Sequence, residues 1–193
     1  MAGDGRMKVF DRVVIVFLNE TQITDDDLQH LSGLPNLEGL SLEDAQFTDN
    51  SLRRLSGLTN LNQLNVGSTQ ITDDGLRHLS GLMKLEGLDL PYQITDDGLK
   101  HLSGLAKLER LGLGFTQITD DGLRHLSGLT NLERLSLYET RITDDGLRHL
   151  SGLSNLDWLS LDNTQTTDEG RKILQKALPD CSIERQSTVR AAR

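Results

Sequence analysis

Cysteine is nearly missing from this chain of 193 residues: Cys181 is the only one. A single thiol excludes an internal disulfide framework and any Cys-based zinc site, and it fits a reducing compartment. Aromatics are scarce as well, with one Trp, two Tyr and four Phe, so where they fall carries information. Basic residues are outnumbered, 20 against 29 acidic, for a net charge of -9. That balance argues against a general phosphate-binding surface, which needs a basic patch, and hence against a nucleic-acid partner. No apolar run approaches the ~20 residues of a membrane span, so no membrane partner is expected. Residues 13–18 are too short for the apolar core of a secretory signal, and the expected location is cytoplasmic. Neither a phosphate loop nor a dinucleotide fingerprint is present, and no cofactor and no metal are expected.

What is present is repetition, which decides a fold before any local reading does. The phrase Thr-Gln-Ile-Thr-Asp-Asp-Gly-Leu-Arg-His-Leu-Ser-Gly-Leu fills residues 69–82 and returns unchanged at 116–129. At 140–153 only Gln is replaced, by Arg141. The Leu-Ser-Gly-Leu phrases begin at Leu31, Leu55, Leu79, Leu102, Leu126 and Leu150, in steps of 24, 24, 23, 24 and 24. Counted from Val13, seven units run to residue 178. Residues 1–12 are then an N-terminal flank, 13–178 the repeat domain, and 179–193 a C-terminal cap and frayed tail.

Each unit has two halves. The first, as in Glu133-Arg134-Leu135-Ser136-Leu137, alternates polar and apolar residues, the pattern of a strand with one buried face. Strands are expected at residues 14–18, 39–42, 63–66, 87–90, 110–113, 134–137 and 158–161. The second half, Asp-Asp-Gly-Leu-Arg-His-Leu, is helical in content. Thr or the first Asp can cap it, and the acids suit the positive end of its dipole. Acid-before-base pairs four apart, such as Asp73 with Arg77, are expected to help. Gly81 is expected to cap the helix end at positive φ. One unit cannot bury its own apolar face, so stacking must make the core. Strands stack at ~4.8 Å whereas helix axes need ~8–10 Å. The fold class is therefore α/β: a solenoid arc with a concave parallel sheet and helices on the convex side.

The consensus Leu-x-x-Leu-x-Leu-x-x-Thr-x-Ile-Thr-Asp-Asp-Gly-Leu-x-x-Leu-Ser-Gly-Leu resembles the leucine-rich repeat, in detail the bacterial planctomycete type, and is similar to the repeats of F-box-type proteins. Family members are mostly binding scaffolds, so the resemblance implies a non-enzymatic protein- or peptide-binding role. No F-box-like segment accompanies it. Where the commonest repeats place Asn or Cys, this chain places Thr21, Thr69, Thr116, Thr140 and Thr164, with Ala45 the departure. These hydroxyls are expected to bond loop backbone inside the arc. The fourth unit lacks one residue at Leu90-Pro91-Tyr92-Gln93, and the seventh has Arg171 in place of a helix Leu. A short apolar strand around Ile183 completes the expected cap.

His30, His78, His101, His125 and His149 hold one helical position. Helices ~9 Å apart keep such a column from sharing a metal. His125 and Ser127 recur as a pair around a convex surface, without the polarised pocket and orienting third group a nucleophile needs. The informative positions are those that vary. By the pleat, Ile15, Gly39, Gln63, Gly87, Arg110, Arg134 and Trp158 form one concave row, and Phe17, Ser41, Asn65, Asp89, Gly112, Ser136 and Ser160 another. Tyr92, Phe115 and Tyr138 follow just beyond the strands. An acidic rim runs through Glu38, Glu86, Glu109, Glu133 and Asp157. Aromatics with Arg on a constant scaffold are the composition of an interface hot region. The candidate partner-binding set is Tyr92, Glu109, Arg110, Phe115, Glu133, Arg134, Tyr138, Asp157 and Trp158, and the rim favours a partner with basic residues. The alternative is a structural or self-associating repeat protein, or a fragment of a larger receptor or adaptor. In that case contact would run through the N-terminal edge strand, where Ile15 and Phe17 break the polar habit. Residues 7–10 or a second molecule are expected to cover that edge.

Overall fold

A computed structural model describes residues 14–184. Eight short strands form one parallel sheet in chain order: β1 Ile15–Phe17, β2 Gly39–Ser41, β3 Gln63–Asn65, β4 Gly87–Asp89, β5 Arg110–Gly112, β6 Arg134–Ser136, β7 Trp158–Ser160 and β8 Ser182–Glu184. All seven expected strands appear, each three residues long. The apolar segment around Ile183 joins the sheet as an eighth strand, with Leu159 opposite Ile183. The register never slips: Leu40, Leu64, Leu88, Leu111, Leu135 and Leu159 stand side by side across the sheet. Each is buried. Burying a Leu side chain is worth ~1.5–3 kcal/mol, and every repeat contributes several, so the core is one continuous leucine column. The strand phase assigned from the sequence therefore holds.

The convex side is α1 Asp49–Leu55, α2 Asp73–Leu76, α3 Asp96–Leu99, α4 Asp120–Leu123, α5 Asp144–Leu147 and α6 Asp168–Ala177. From α2 to α5 each is a single turn that tightens into a 3-10 segment, as at Arg124–Leu126. The tightening changes the charge pairing. In a 3-10 turn, side chains three apart eclipse. The ion pairs where the helix tightens are i,i+3: Lys100 with Asp97, Arg124 with Asp121, and Arg148 with Asp145 at 2.9 Å. Arg171 with Asp168 has the same spacing inside α6, where residues three apart are also neighbours. The expected Asp73–Arg77 pair does not form, because the first acid of each Asp-Asp is engaged by the next repeat.

That engagement is the main structural device of the convex side. The Asp96 carboxylate accepts from the Thr119 backbone N–H at 2.8 Å and from the Thr119 hydroxyl at 2.6 Å. Asp120 does the same for Thr143, Asp73 for Thr95, Asp49 for Thr72 and Asp144 for Thr167. Each Thr meanwhile sits at the N-cap of its own helix, and Thr119 accepts from the Asp121 backbone N–H. A methyl built on the following glycine, as at Gly98, Gly122 or Gly146, would run into that carboxylate. The glycine of Asp-Asp-Gly is therefore a clearance for the previous repeat. In the second repeat Ser51 takes its place, and its hydroxyl donates to Asp25. Burial works against the Asp25 carboxylate, yet the Ser51 and Thr48 hydrogen bonds outweigh it and hold its pKa below the ordinary value.

Two further details differ from, or answer to, the sequence reading. Among the described residues no glycine has positive φ, so Gly81 does not cap its helix in the left-handed region. The positive-φ positions lie instead just after the strands, at Glu20, Asp44, Ser68, Phe115, Glu139 and Asn163. The repeat threonines do bond inside the arc. The hydroxyls of Thr21, Thr69, Thr116 and Thr164 donate to the carbonyl three residues back, at 2.7–2.8 Å. In the shortened fourth repeat Gln93 reaches back to the Thr69 and Ile71 carbonyls. At the C-terminal end α6 is the longest helix, despite Arg171. Gln175 donates to the Leu178 and Cys181 carbonyls there, and burial pushes the Cys181 thiol up to about 11.

At the other end, Ile15 and Phe17 stand exposed on the concave side of β1, Phe17 at 73%. Residues 7–10, expected to cover that edge, lie outside the described residues.

Candidate functional site on the concave face

The pleat that buries the leucines leaves the alternate residues of each strand on the concave face. Arg110 and Arg134 are adjacent across β5 and β6, and Trp158 continues their row on β7. Arg110 lies 3.9 Å from Glu109, and Arg134 lies 4.0 Å from Asp157. Both pairs are open to water, where such bridges contribute ~0–1 kcal/mol and leave the guanidinium available. Trp158 is half-buried. Glu109 and Glu133 line a shallow depression with Glu86, Lys107, Asn131 and Asn155, toward the N-terminal ends of the strands.

The other three predicted residues share a larger feature. A groove of about 670 Å³ lies over the C-terminal ends of β3 to β6. Tyr92, Phe115 and Tyr138 line it, and Glu43, Asn65, Asp89 and Ser136 contribute polar groups. The Phe115 and Tyr138 rings meet edge to face, centroids 4.8 Å apart and 77° between planes. Glycines make room for the side chains that lie on them. A Cβ on Gly114 would strike the Tyr138 ring, and one on Gly112 would strike the Asp89 carboxylate. The nine predicted residues thus divide into an aromatic groove and an Arg–Trp row on the same sheet face, with the acidic rim alongside.

Sequence reasoning passed over the acidic lining of this groove. Asn65 and Asp89 stood in a row read as concave, and Glu43 holds the position that Tyr138 holds four repeats later. Glu43 accepts from the Asn65 amide at 3.1 Å, and Asn65 in turn accepts from the Gly67 backbone N–H at 2.8 Å. Among the described residues no donor reaches the Asp89 carboxylate. Its surface remains open, but the groove walls displace part of its water shell. That desolvation, and then the Glu43 carboxylate, raise its pKa above the ordinary value, with Arg110 offsetting part.

A raised pKa means the folded state prefers the protonated acid. The Asp89 charge therefore costs stability at neutral pH, and the cost is relieved as pH falls through the folded-state pKa. Asp89→Asn is expected to raise the melting temperature at pH 7. The gain should vanish once pH lies below the ordinary carboxylate range. A melting temperature lowered at pH 7 would show the charge to be satisfied by groups already in place.

Among the described residues no cluster of His, Cys, Asp and Glu could hold a metal. No helix there is long and apolar enough to cross a membrane.

Comparison with known proteins places this geometry. Two leucine-rich-repeat families match, one at residues 106–165 and one at 57–80. No curated protein sequence matches significantly. Among solved structures, an internalin (inlF) of Listeria monocytogenes is 27% identical with a TM-score of 0.75, over 92% of this chain and 48% of that one. This chain thus spans about half the length of that internalin. The internalin C2 (inlC2) of the same organism is 28% identical, with a TM-score of 0.70 over 92% of this chain and 82% of that one. A leucine-rich-repeat protein of Leptospira interrogans shares the fold at 21% identity and a TM-score of 0.62, over 90% and 49% of the two chains. Proteins of this kind generally mediate protein–protein interaction and are typically non-enzymatic. Residues 57–80 and 106–165 match leucine-rich repeats, and the fold is the leucine-rich-repeat solenoid.

Proposed function

We propose that this protein is a non-enzymatic interaction scaffold that binds a protein or peptide across its concave face. The observation that carries the reading is the exposure of Tyr92, Phe115 and Tyr138 together on that face. The fold does not require aromatics there: other repeats hold Asp44, Ser68 and Asn163 at the position of Phe115, and Glu43 and Gly67 at that of Tyr138. Exposed apolar groups gathered on an otherwise polar surface mark contact sites, and aromatics with Arg dominate interface energetics. The acidic rim favours a partner with basic residues.

The test is partner capture by wild type beside Tyr138→Ala, Arg134→Ala, Trp158→Ala and the convex control His125→Ala, with melting temperatures measured in parallel. Stability should shift by about 0.5 kcal/mol or less, as is usual at surface positions. Capture should fail for the concave variants and persist for the control. Capture lost only with His125→Ala would move the site to the convex face.

Exposed Ile15 and Phe17 on the terminal strand of the described sheet favour a second reading, self-association through the N-terminal edge. Mass that rises with concentration, and is restored to monomer by Phe17→Ser, would support it. A monomer at high concentration would exclude it.

A further inference from the structure

The groove between β3 and β6 has a polarity that a general contact surface does not need. Its lining is aromatic at Tyr92, Phe115 and Tyr138 and acidic at Glu43 and Asp89. The Asp89 carboxylate lies over Gly112 and the Tyr138 ring over Gly114, positions that a Cβ would close to them. The two acids are not equivalent. Glu43 is held by the Asn65 amide, whereas the Asp89 carboxylate has no hydrogen-bond donor among the described residues. The nearest positive charge acting on it is Arg110, and that guanidinium already lies beside Glu109. A carboxylate left without a partner beside a second acid is costly until a cation arrives. Aromatic faces attract cations as well, through the ring quadrupole.

We propose that this groove is a receptor for a single basic side chain of the partner, an arginine, with Asp89 as its anion and the Tyr92, Phe115 and Tyr138 rings as its stacking surface. Arginine fits better than lysine. Its planar guanidinium stacks on aromatic faces and is more weakly hydrated, while its N–H fork meets a carboxylate edge. An acidic occupant would add a third negative charge to the groove, and an aliphatic one would leave Asp89 unpaired. The inference rests on the concave-face reading above and names the chemistry that face selects.

The experiment uses two blocked pentapeptides, Gly-Ser-Arg-Ser-Gly and the same peptide with citrulline in place of Arg. Citrulline keeps the shape and removes the charge. Each is titrated into the full chain by NMR, with shifts followed at the Gly112, Gly114 and Phe115 amides. The arginine peptide is expected to bind about tenfold tighter than the citrulline peptide, the scale of a cation–π contact joined to a charge-assisted hydrogen bond. Asp89→Asn should bring the arginine peptide down to the citrulline level while keeping or exceeding the wild-type melting temperature. Tyr138→Ala should weaken it several-fold while remaining folded, with a melting temperature at most a few degrees lower. Equal binding of the two peptides, shifts confined to other amides, or no saturable binding of either would overturn the proposal. Two outcomes separate it from the broader reading. A partner captured through Trp158 and Arg134, with no preference for arginine over citrulline, keeps the scaffold and removes the receptor. An arginine preference lost in Asp89→Asn, with capture indifferent to every concave variant, keeps the receptor and removes the scaffold.

Discussion

Gly122→Ala is expected to destabilise the protein by about 2–3 kcal/mol, although alanine is the better helix former. Propensity alone would favour Ala by ~1 kcal/mol at a helix position. The opposing effect is larger. A Cβ at this position collides with the Asp96 carboxylate of the preceding repeat. That carboxylate cannot simply step aside, since one oxygen accepts from the Thr119 N–H and the other from its hydroxyl. Hydrogen bonds to a charged group contribute ~1.5–3 kcal/mol each, so displacement forfeits more than propensity returns. Three controls give the argument content. Gly128→Ala, six residues on, has open space around its Cβ and should be neutral or stabilising by ~0.4–1 kcal/mol. Gly122→Ser should be milder than Gly122→Ala, because Ser51 shows a hydroxyl there donating to the equivalent Asp25. In an Asp96→Ala background, Gly122→Ala should cost little, a coupling that urea melts of the four proteins would measure. Additive losses would mean that the clash is not with Asp96.

The glycines of the repeat differ in how far a local stretch of sequence specifies them. Leucine periodicity fixed the strand phase, because a period of two copied seven times leaves no second register in which every Leu is buried. Helix placement was equally legible from Thr-Asp in the second to seventh repeats, whereas the first repeat has a 3-10 helix, Asp27–Gly33, in that place. The glycine roles were not. A local window assigns Gly81 to a left-handed cap and has no reason to distinguish Gly122. The contact that requires Gly122 comes from Asp96, one repeat away, and only stacking brings the two together. The i,i+4 pairs failed for a related reason: the first acid was already spoken for by Thr of the next repeat, and the 3-10 turn offered the second acid a partner three residues on. At the candidate site, Tyr92, Phe115 and Tyr138 announced themselves as departures from the repeat. Asp89 and Glu43 did not, because an acid is unremarkable in a chain this acidic. The meaning of Asp89 comes from its place over Gly112 beside the aromatic rings and from having no donor among the described residues.

Phe115→Asn is expected to weaken partner binding roughly 30-fold while leaving folding intact, and this is where binding and stability separate most sharply. Phe115 has φ 63°, the left-handed region that costs a non-glycine residue ~1–2 kcal/mol and that Asn tolerates best. Equivalent positions hold Glu20, Asp44, Ser68, Glu139 and Asn163, all short or polar, at φ 54–57°. A bulky ring there works against the backbone, and 58% of it stays exposed. Its return within the fold is the edge contact with Tyr138, which at an exposed site lies toward the low end of ~0.5–1.5 kcal/mol. Asn should therefore leave stability within ~1 kcal/mol of wild type, or raise it. Binding carries no such compensation. Removing a central aromatic anchor costs ~2 kcal/mol or more, roughly 30-fold in affinity. The check is a melting temperature and a dissociation constant for the captured partner, both for Phe115→Asn and for Asn163→Asp as a control at the same backbone position. A melting temperature several degrees below wild type would make Phe115 a packing residue. Unchanged affinity would take the aromatic groove out of the interface and leave the Arg110–Arg134–Trp158 row to carry it.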